Sequence, residues 1–207
     1  VSVFTGVCRQ HIETFSSLEK VYEAKSEVFE GTKGQVFLGA SLKDRALPKN
    51  AVVSNAGAIK DVVLKKDCTS FTLTVDKKEY PVEMPLLGKT NVENVALCVD
   101  VAIALHLTAE EILSGLQKLE QVPHRMQLIE SGGVFVLDDS YNANELGAKE
   151  AVEQLKRFEN KKFILTPGIV EGGILEETLQ EEFGKTLVGI DRVFLIGAGK
   201  DAMKKGY

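Results

Sequence analysis

Apolar and polar positions follow two rhythms along the chain, and the change falls near Val122-Pro123. Before it, short runs of alternating or continuous apolar character predict strands: VSVFTGV at the start, QVFLG at 35–39, AVVSN at 51–55 and DVVLK at 61–65. FTLTV and EYPVEMPL, joined by DKK, predict a hairpin. Three segments of the same half carry helical spacing. In the first, Leu18, Val21, Tyr22, Val28 and Phe29 form a stripe, with Ser16 and Glu19 as a capping box and Gly31 as the stop. The others run over 91–105 and from 109 to about 119, the last with Thr108 as N-cap and Glu111 completing a capping box. Beyond Pro123 the order becomes strand, helix, strand, helix, strand: VFVLDD, about 145–158, KFILTPG, about 175–188, RVFLIG. Such alternation predicts an α/β fold with a doubly wound parallel sheet. The expected domains are 1–121, rich in strands, and 122–207.

Composition narrows the function classes. With 207 residues and 44% hydrophobic content the chain can bury a core. Its 25 basic and 30 acidic side chains give a net charge of -5 with no basic block, which argues against nucleic-acid binding, so an anionic ligand must be met by local groups. Cys8, Cys68 and Cys98 lie far apart without CxxC spacing, pointing to neither a disulfide framework nor a zinc site and fitting a reducing, cytoplasmic setting. The longest apolar run, 92–105, is broken by Glu93, Asn94 and Asp100, so no membrane insertion is expected. The chain opens directly on a strand-like VSVFTGV and stops where a further helix would begin, which reads as a piece of a longer protein.

The densest polar cluster is VFVLDDSYNAN at 134–144. In a doubly wound sheet, ligands bind beyond the carboxyl ends of strands, where helix N-termini leave N–H groups unpaired. Asp138 or Asp139 could accept two ribose hydroxyls, with Ser140, Asn142 and Asn144 as short hydrogen-bonding arms; equally, these residues could simply cap the next helix. Lys25 falls on the apolar stripe, where it either snorkels to water or is a buried amine available for covalent chemistry. Asn91 and Asn94, one helical turn apart, could present amides to a purine edge, or one of them could be the N-cap. Gly88-Lys89-Thr90 mimics the tail of a phosphate loop, but Glu83 stands where that motif needs glycine.

In this order the segments GVCRQHIETFSSLEKVYEAKSEVFEG, LLGKTNVENV, VPHRMQLI and DDSYNAN resemble the Mur ligase family, ATP-dependent enzymes that extend the peptidoglycan precursor. The resemblance implies the end of a mononucleotide-binding ATPase domain followed by a Rossmann-like domain, with the family's phosphate loop upstream of Val1. DDSYNAN points to the type that joins D-Ala-D-Ala to UDP-MurNAc-tripeptide through an acyl phosphate. By the same resemblance His11 would bind magnesium, and Lys25, carbamylated, would lie near the metal. Asn91 and Asn94 would hold the adenine, Arg125 the ATP phosphates and Asp139 the ribose, with Tyr141, Asn142 and Asn144 lining the mouth. A cytoplasmic monomer acting on small molecules, with ATP and Mg2+, is the expectation. Thr90, where the family often has histidine, and TPGIVEGG at 166–173 depart from the pattern. The alternatives are a non-catalytic nucleotide-binding or interaction module of the same fold, another Mur or folylpolyglutamate-type ligase, and a nicotinamide-dependent oxidoreductase, the last disfavoured because no glycine fingerprint follows a strand.

Overall fold

The computed structural model describes residues 1–9, 12–54, 57–142 and 144–207. By internal packing the chain divides into two units, Val1–Val7 with Ala24–Gln121 and Cys8–Glu23 with Val122–Tyr207. After strand β1 (Ser2–Phe4) come a short helix α1 (Ile12–Phe15) and a longer α2 (Leu18–Ser26), which tightens into a 3-10 turn over Glu27–Phe29. The expected capping box at Ser16 is not what starts α2. The helix begins at Leu18, so Ser17 is the residue before it, and the Oγ of Ser17 accepts the Lys20 N–H at 3.2 Å. The helix also ends before Gly31, and this places Lys25 differently from the buried reading. Lys25 lies in the last turn and is exposed.

Strands β2 (Val36–Leu38) and β3 (Ala51–Val53) complete a parallel sheet in the order β1-β2-β3. The central β2 is buried along its whole length, as expected of a parallel strand with a continuous apolar run. The next sheet is antiparallel: β4 (Ile59–Leu64), β5 (Thr69–Val75) and β6 (Lys78–Met84). Asp76 and Lys77 turn the β5–β6 hairpin, both at positive φ, which matches the twist of the flanking strands. Phe71, Leu73 and Val75 face Val92, Val95 and Val99 of α3 (Lys89–Ala104) and Ile112 and Leu116 of α4 (Ala109–Gln117) in one core. The capping box of α4 is present: Glu111 N–H donates to Thr108 Oγ1 at 3.3 Å, and Thr108 N–H to Glu111 Oε2 at 2.8 Å.

In the second unit, β7 (Gln127–Ser131) and β8 (Val134–Asp138) form an antiparallel hairpin. Gly132 and Gly133, at φ +58 and +78, make its turn. Helix α5 (Glu145–Lys156) leads to β9 (Phe163–Thr166), and α6 (Glu176–Thr186) to β10 (Arg192–Leu195), before α7 (Lys200–Gly206). Strands β9 and β10 pair in parallel. The three-strand ladder expected of VFVLDD, KFILTPG and RVFLIG is thus corrected: among the described residues β8 is laddered to β7 across the Gly-Gly turn, and the parallel ladder joins β9 and β10 alone. Val152, Ile169, Leu179, Phe183, Leu187 and Met203 centre the core. Among the described residues no helix is long and apolar enough to cross a membrane.

Candidate functional site

The tip of β8 and the turn before β7 are built against each other. Asp138 Oδ2 lies 2.8 Å from His124 Nδ1, and its Oδ1 accepts the Ser140 N–H at 3.1 Å. Asp139 Oδ1 accepts the Met126 N–H at 2.9 Å, and the Tyr141 N–H donates to the His124 carbonyl at 3.1 Å. Between the two gripped residues stands Arg125, exposed, with its guanidinium 4.3 Å from the centre of the Tyr141 ring. His124 and Met126 both have positive φ, +62 and +49. Such backbone costs on the order of 1–3 kcal/mol per residue and persists where its surroundings over-determine it. The polar contacts from Asp138 and Asp139 supply that restraint.

The two carboxylates are tuned in opposite directions. Hydrogen bonding to Ser140 first, and to His124 next, holds Asp138 below the usual carboxylate range. Burial pushes Asp139 above it, against the downward pull of the Met126 N–H and the Arg125 charge. A guanidinium held over an aromatic ring at a strand's carboxyl end suits two-pronged contact with phosphate oxygens. A half-buried carboxylate beside it can accept hydroxyl donors.

The remaining expected residues divide among different settings. Asn144 is the N-cap of α5, its Oδ1 accepting the Gly147 N–H at 2.9 Å, so the helix-cap alternative holds for this residue. Asn142 is partly buried in the same loop. In the first unit, Asn91 and Asn94 lie on α3 past its N-cap position, which is Gly88 at φ +88, so neither amide is that cap. Asn91 Nδ2 donates to the Leu87 carbonyl at 2.8 Å. The exposed Lys25 belongs to this unit, and His11 lies outside the described residues. Among the described residues no group of three or more His, Cys, Asp or Glu side chains gathers as a metal cage. The phosphate-loop decoy is also resolved: Glu83 sits in β6 opposite Ser70 and pairs with Lys65 at 2.7 Å.

Sequence reasoning missed three polar anchors of the second unit. Arg9 meets the buried Glu145 through two contacts of 2.6 Å, with Glu182 at 3.1 Å from Arg9 and Lys149 at 2.9 Å from Glu145. The hydrogen bond from Arg9 is the first cause holding Glu145 below its ordinary range. Gln180, 1% exposed, accepts the Ile169 N–H at 3.1 Å and donates to the Ile169 carbonyl at 2.7 Å. His124 is the third. A histidine directly before an arginine at a proline-marked turn was its one visible signal.

The Mur ligase middle-domain family model matches residues 1–102, and the model described as Mur ligase, glutamate ligase domain matches 124–205. The UDP-N-acetylmuramoyl-tripeptide--D-alanyl-D-alanine ligase of Bacillus subtilis (strain 168) is 28% identical over 214 residues, covering 95% of this chain and 46% of that protein. Its namesake from Escherichia coli (strain K12) is 29% identical, covering 98% and 48%. The chain therefore spans about half the length of the curated relatives it matches. Among solved structures, MurF from Acinetobacter baumannii superposes with a TM-score of 0.88 at 22% identity, over 99% of this chain and 48% of that one. MurF ligase from Thermotoga maritima in complex with ADP gives 0.83 at 23%, over 97% and 50%. These likenesses concern the fold, an ATPase-like part followed by a Rossmann-like one. With family models matching both parts in the order expected from GVCRQHIETF to DDSYNAN, the chain belongs to the Mur ligase family.

Proposed function

We propose that this chain carries part of a cytoplasmic, monomeric, ATP-dependent ligase of the MurF type, which joins D-Ala-D-Ala to UDP-MurNAc-tripeptide. The observation that carries the reading is the Arg125 turn, held by Asp138 and Asp139 at the tip of β8, in a chain whose relatives share that name. Arg125 contacts the nucleotide phosphates, with its guanidinium resting over the Tyr141 ring. Asp139 accepts the ribose hydroxyls with Asn142 beside it, while Asn144 acts by starting α5. Asn91 and Asn94 meet the adenine from α3. ATP converts the tripeptide carboxylate to an acyl phosphate, which the dipeptide amine attacks with loss of phosphate.

Magnesium enters this reading on the likeness of the His11 and Lys25 segment, and no step is derived through it. Lys25 is exposed, so the burial that would free its amine is not what supports this role. The role rests on the resemblance, in which a carbamate on Lys25 would offer an oxygen donor of the kind magnesium prefers. The test is phosphate release by the full-length protein. It should require ATP, the UDP-linked tripeptide and D-Ala-D-Ala together, and Arg125→Ala should lower kcat/KM for ATP about a hundredfold or more. ATP binding without turnover under those conditions would replace the ligase reading with that of a non-catalytic nucleotide module.

A further inference from the structure

We propose that His124 and Asp138 are positioning residues that fix the direction in which Arg125 points, a role whose link to nucleotide affinity rests on the reading just given. Arg125 occupies the middle of a left-handed, ordinary, left-handed backbone sequence, with His124 and Met126 at φ +62 and +49. Three residues so arranged have little intrinsic preference for that path. They are held from every side. The Arg125 N–H donates to the Val122 carbonyl at 3.1 Å, and the His124 N–H to Gln127 Oε1 at 3.3 Å. The His124 carbonyl receives the Tyr141 N–H at 3.1 Å, and Met126 N–H reaches Asp139 Oδ1 at 2.9 Å.

Of these contacts, the one between His124 Nδ1 and Asp138 Oδ2, at 2.8 Å, joins two side chains. It ties the turn to the end of β8, and Asp138 is itself oriented by the Ser140 N–H on its other oxygen. The same strand end sends Tyr141 back under the guanidinium. One strand tip therefore fixes both the backbone that carries Arg125 and the ring on which its charge rests. Histidine suits the position twice over, because it tolerates left-handed backbone better than most residues and carries a ring nitrogen one bond from Cγ.

Two substitutions separate those properties in the full-length protein. His124→Gly keeps the backbone freedom and removes the nitrogen, whereas His124→Asn keeps a donor at the place of Nδ1 and also tolerates positive φ. In calorimetric titration with ATP, His124→Gly should weaken binding about tenfold, and His124→Asn should recover most of that loss. In an Arg125→Ala background the same His124→Gly change should alter ATP affinity less than about twofold, because the residue it acts through is gone. Equal losses in the two backgrounds would overturn the proposal.

A second readout does not depend on the nucleotide. Trypsin cuts after arginine, so cleavage at Arg125–Met126, followed by mass spectrometry, reports how firmly the turn is held. His124→Gly and Asp138→Ala should each speed that cut about tenfold, with His124→Asn near the parent rate. An unchanged cleavage rate in both would defeat the positioning role. If Arg125→Ala leaves ATP affinity intact, the phosphate reading of Arg125 fails, and the tryptic result alone decides whether His124 and Asp138 position the turn.

Discussion

In the first unit, β5 buries alternate side chains against α3 and α4, and Leu73 at its centre is wholly inaccessible. At the tip of β8 in the second unit, Arg125, Asp138, Asp139 and Tyr141 are held by hydrogen bonds to backbone, one histidine contact and a ring. The first arrangement derives its stability from volume, and many apolar side chains of similar size would serve it. The second depends on the identity of single donors and acceptors and on unusual backbone angles, so few substitutions preserve it. A region of the first kind supports; a region of the second kind aims a charge.

The largest effect should come from the packed region. Leu73→Ala is expected to destabilise the protein by about 2–5 kcal/mol in chemical denaturation, because the sheet and helices cannot fully close on the void. A loss below about 1 kcal/mol would show that the sheet is not the firm partner in the comparison.

Next in size is the polar framework around α5. Removing Glu145 strands Arg9, and since Arg9 is 35% exposed, Glu145→Ala should cost about 1–2 kcal/mol rather than the larger penalty of a fully buried pair. The folded pKa of Glu145 is depressed, so its contribution is present above the ordinary glutamate range and lost as pH falls through the lower folded value. Denaturation curves of parent and variant should therefore converge in acid. Parallel curves would assign the loss to packing instead.

The smallest effect has the opposite sign. Burial raises the pKa of Asp139, so the folded state holds its proton more tightly than the unfolded state does. That stabilisation is present at low pH and lost as pH rises through the folded value. Asp139→Asn keeps an acceptor for the Met126 N–H, and near neutral pH it should leave stability unchanged or raised by less than about 1 kcal/mol. The same change should weaken ATP binding roughly tenfold if the carboxylate meets the ribose. Stability that falls on this substitution while ATP affinity stays unchanged would make Asp139 a structural member of the framework and nothing more.

Features set by neighbours in sequence were legible before the structure. The DKK hairpin and the Thr108–Glu111 box involve residues a few positions apart, and both form where the pattern put them. The Ser16 box failed because Ser16, at φ +67, closes α1 by donating its N–H to the Ile12 carbonyl, so α2 begins at Leu18 and Ser17 takes the capping place. Strand β7 went unread because QLIES alternates too weakly to stand apart from the turn before it. The cluster at 138–144 was readable as polar chemistry at a strand end, but its partners were not. His124 and Asp138 are 14 positions apart, and Arg9 and Glu145 are 136 apart, and no periodicity connects such pairs. Lys25 illustrates the converse: the stripe suggested burial, but the helix ends one residue later and leaves the side chain exposed.

The buried amide of Gln180 has a packing consequence. It grips both backbone polar groups of Ile169, and a side chain at either Gly168 or Gly199 would collide with it. The segments that follow β9 and β10 therefore close on the same amide, and glycine on each side leaves room for it.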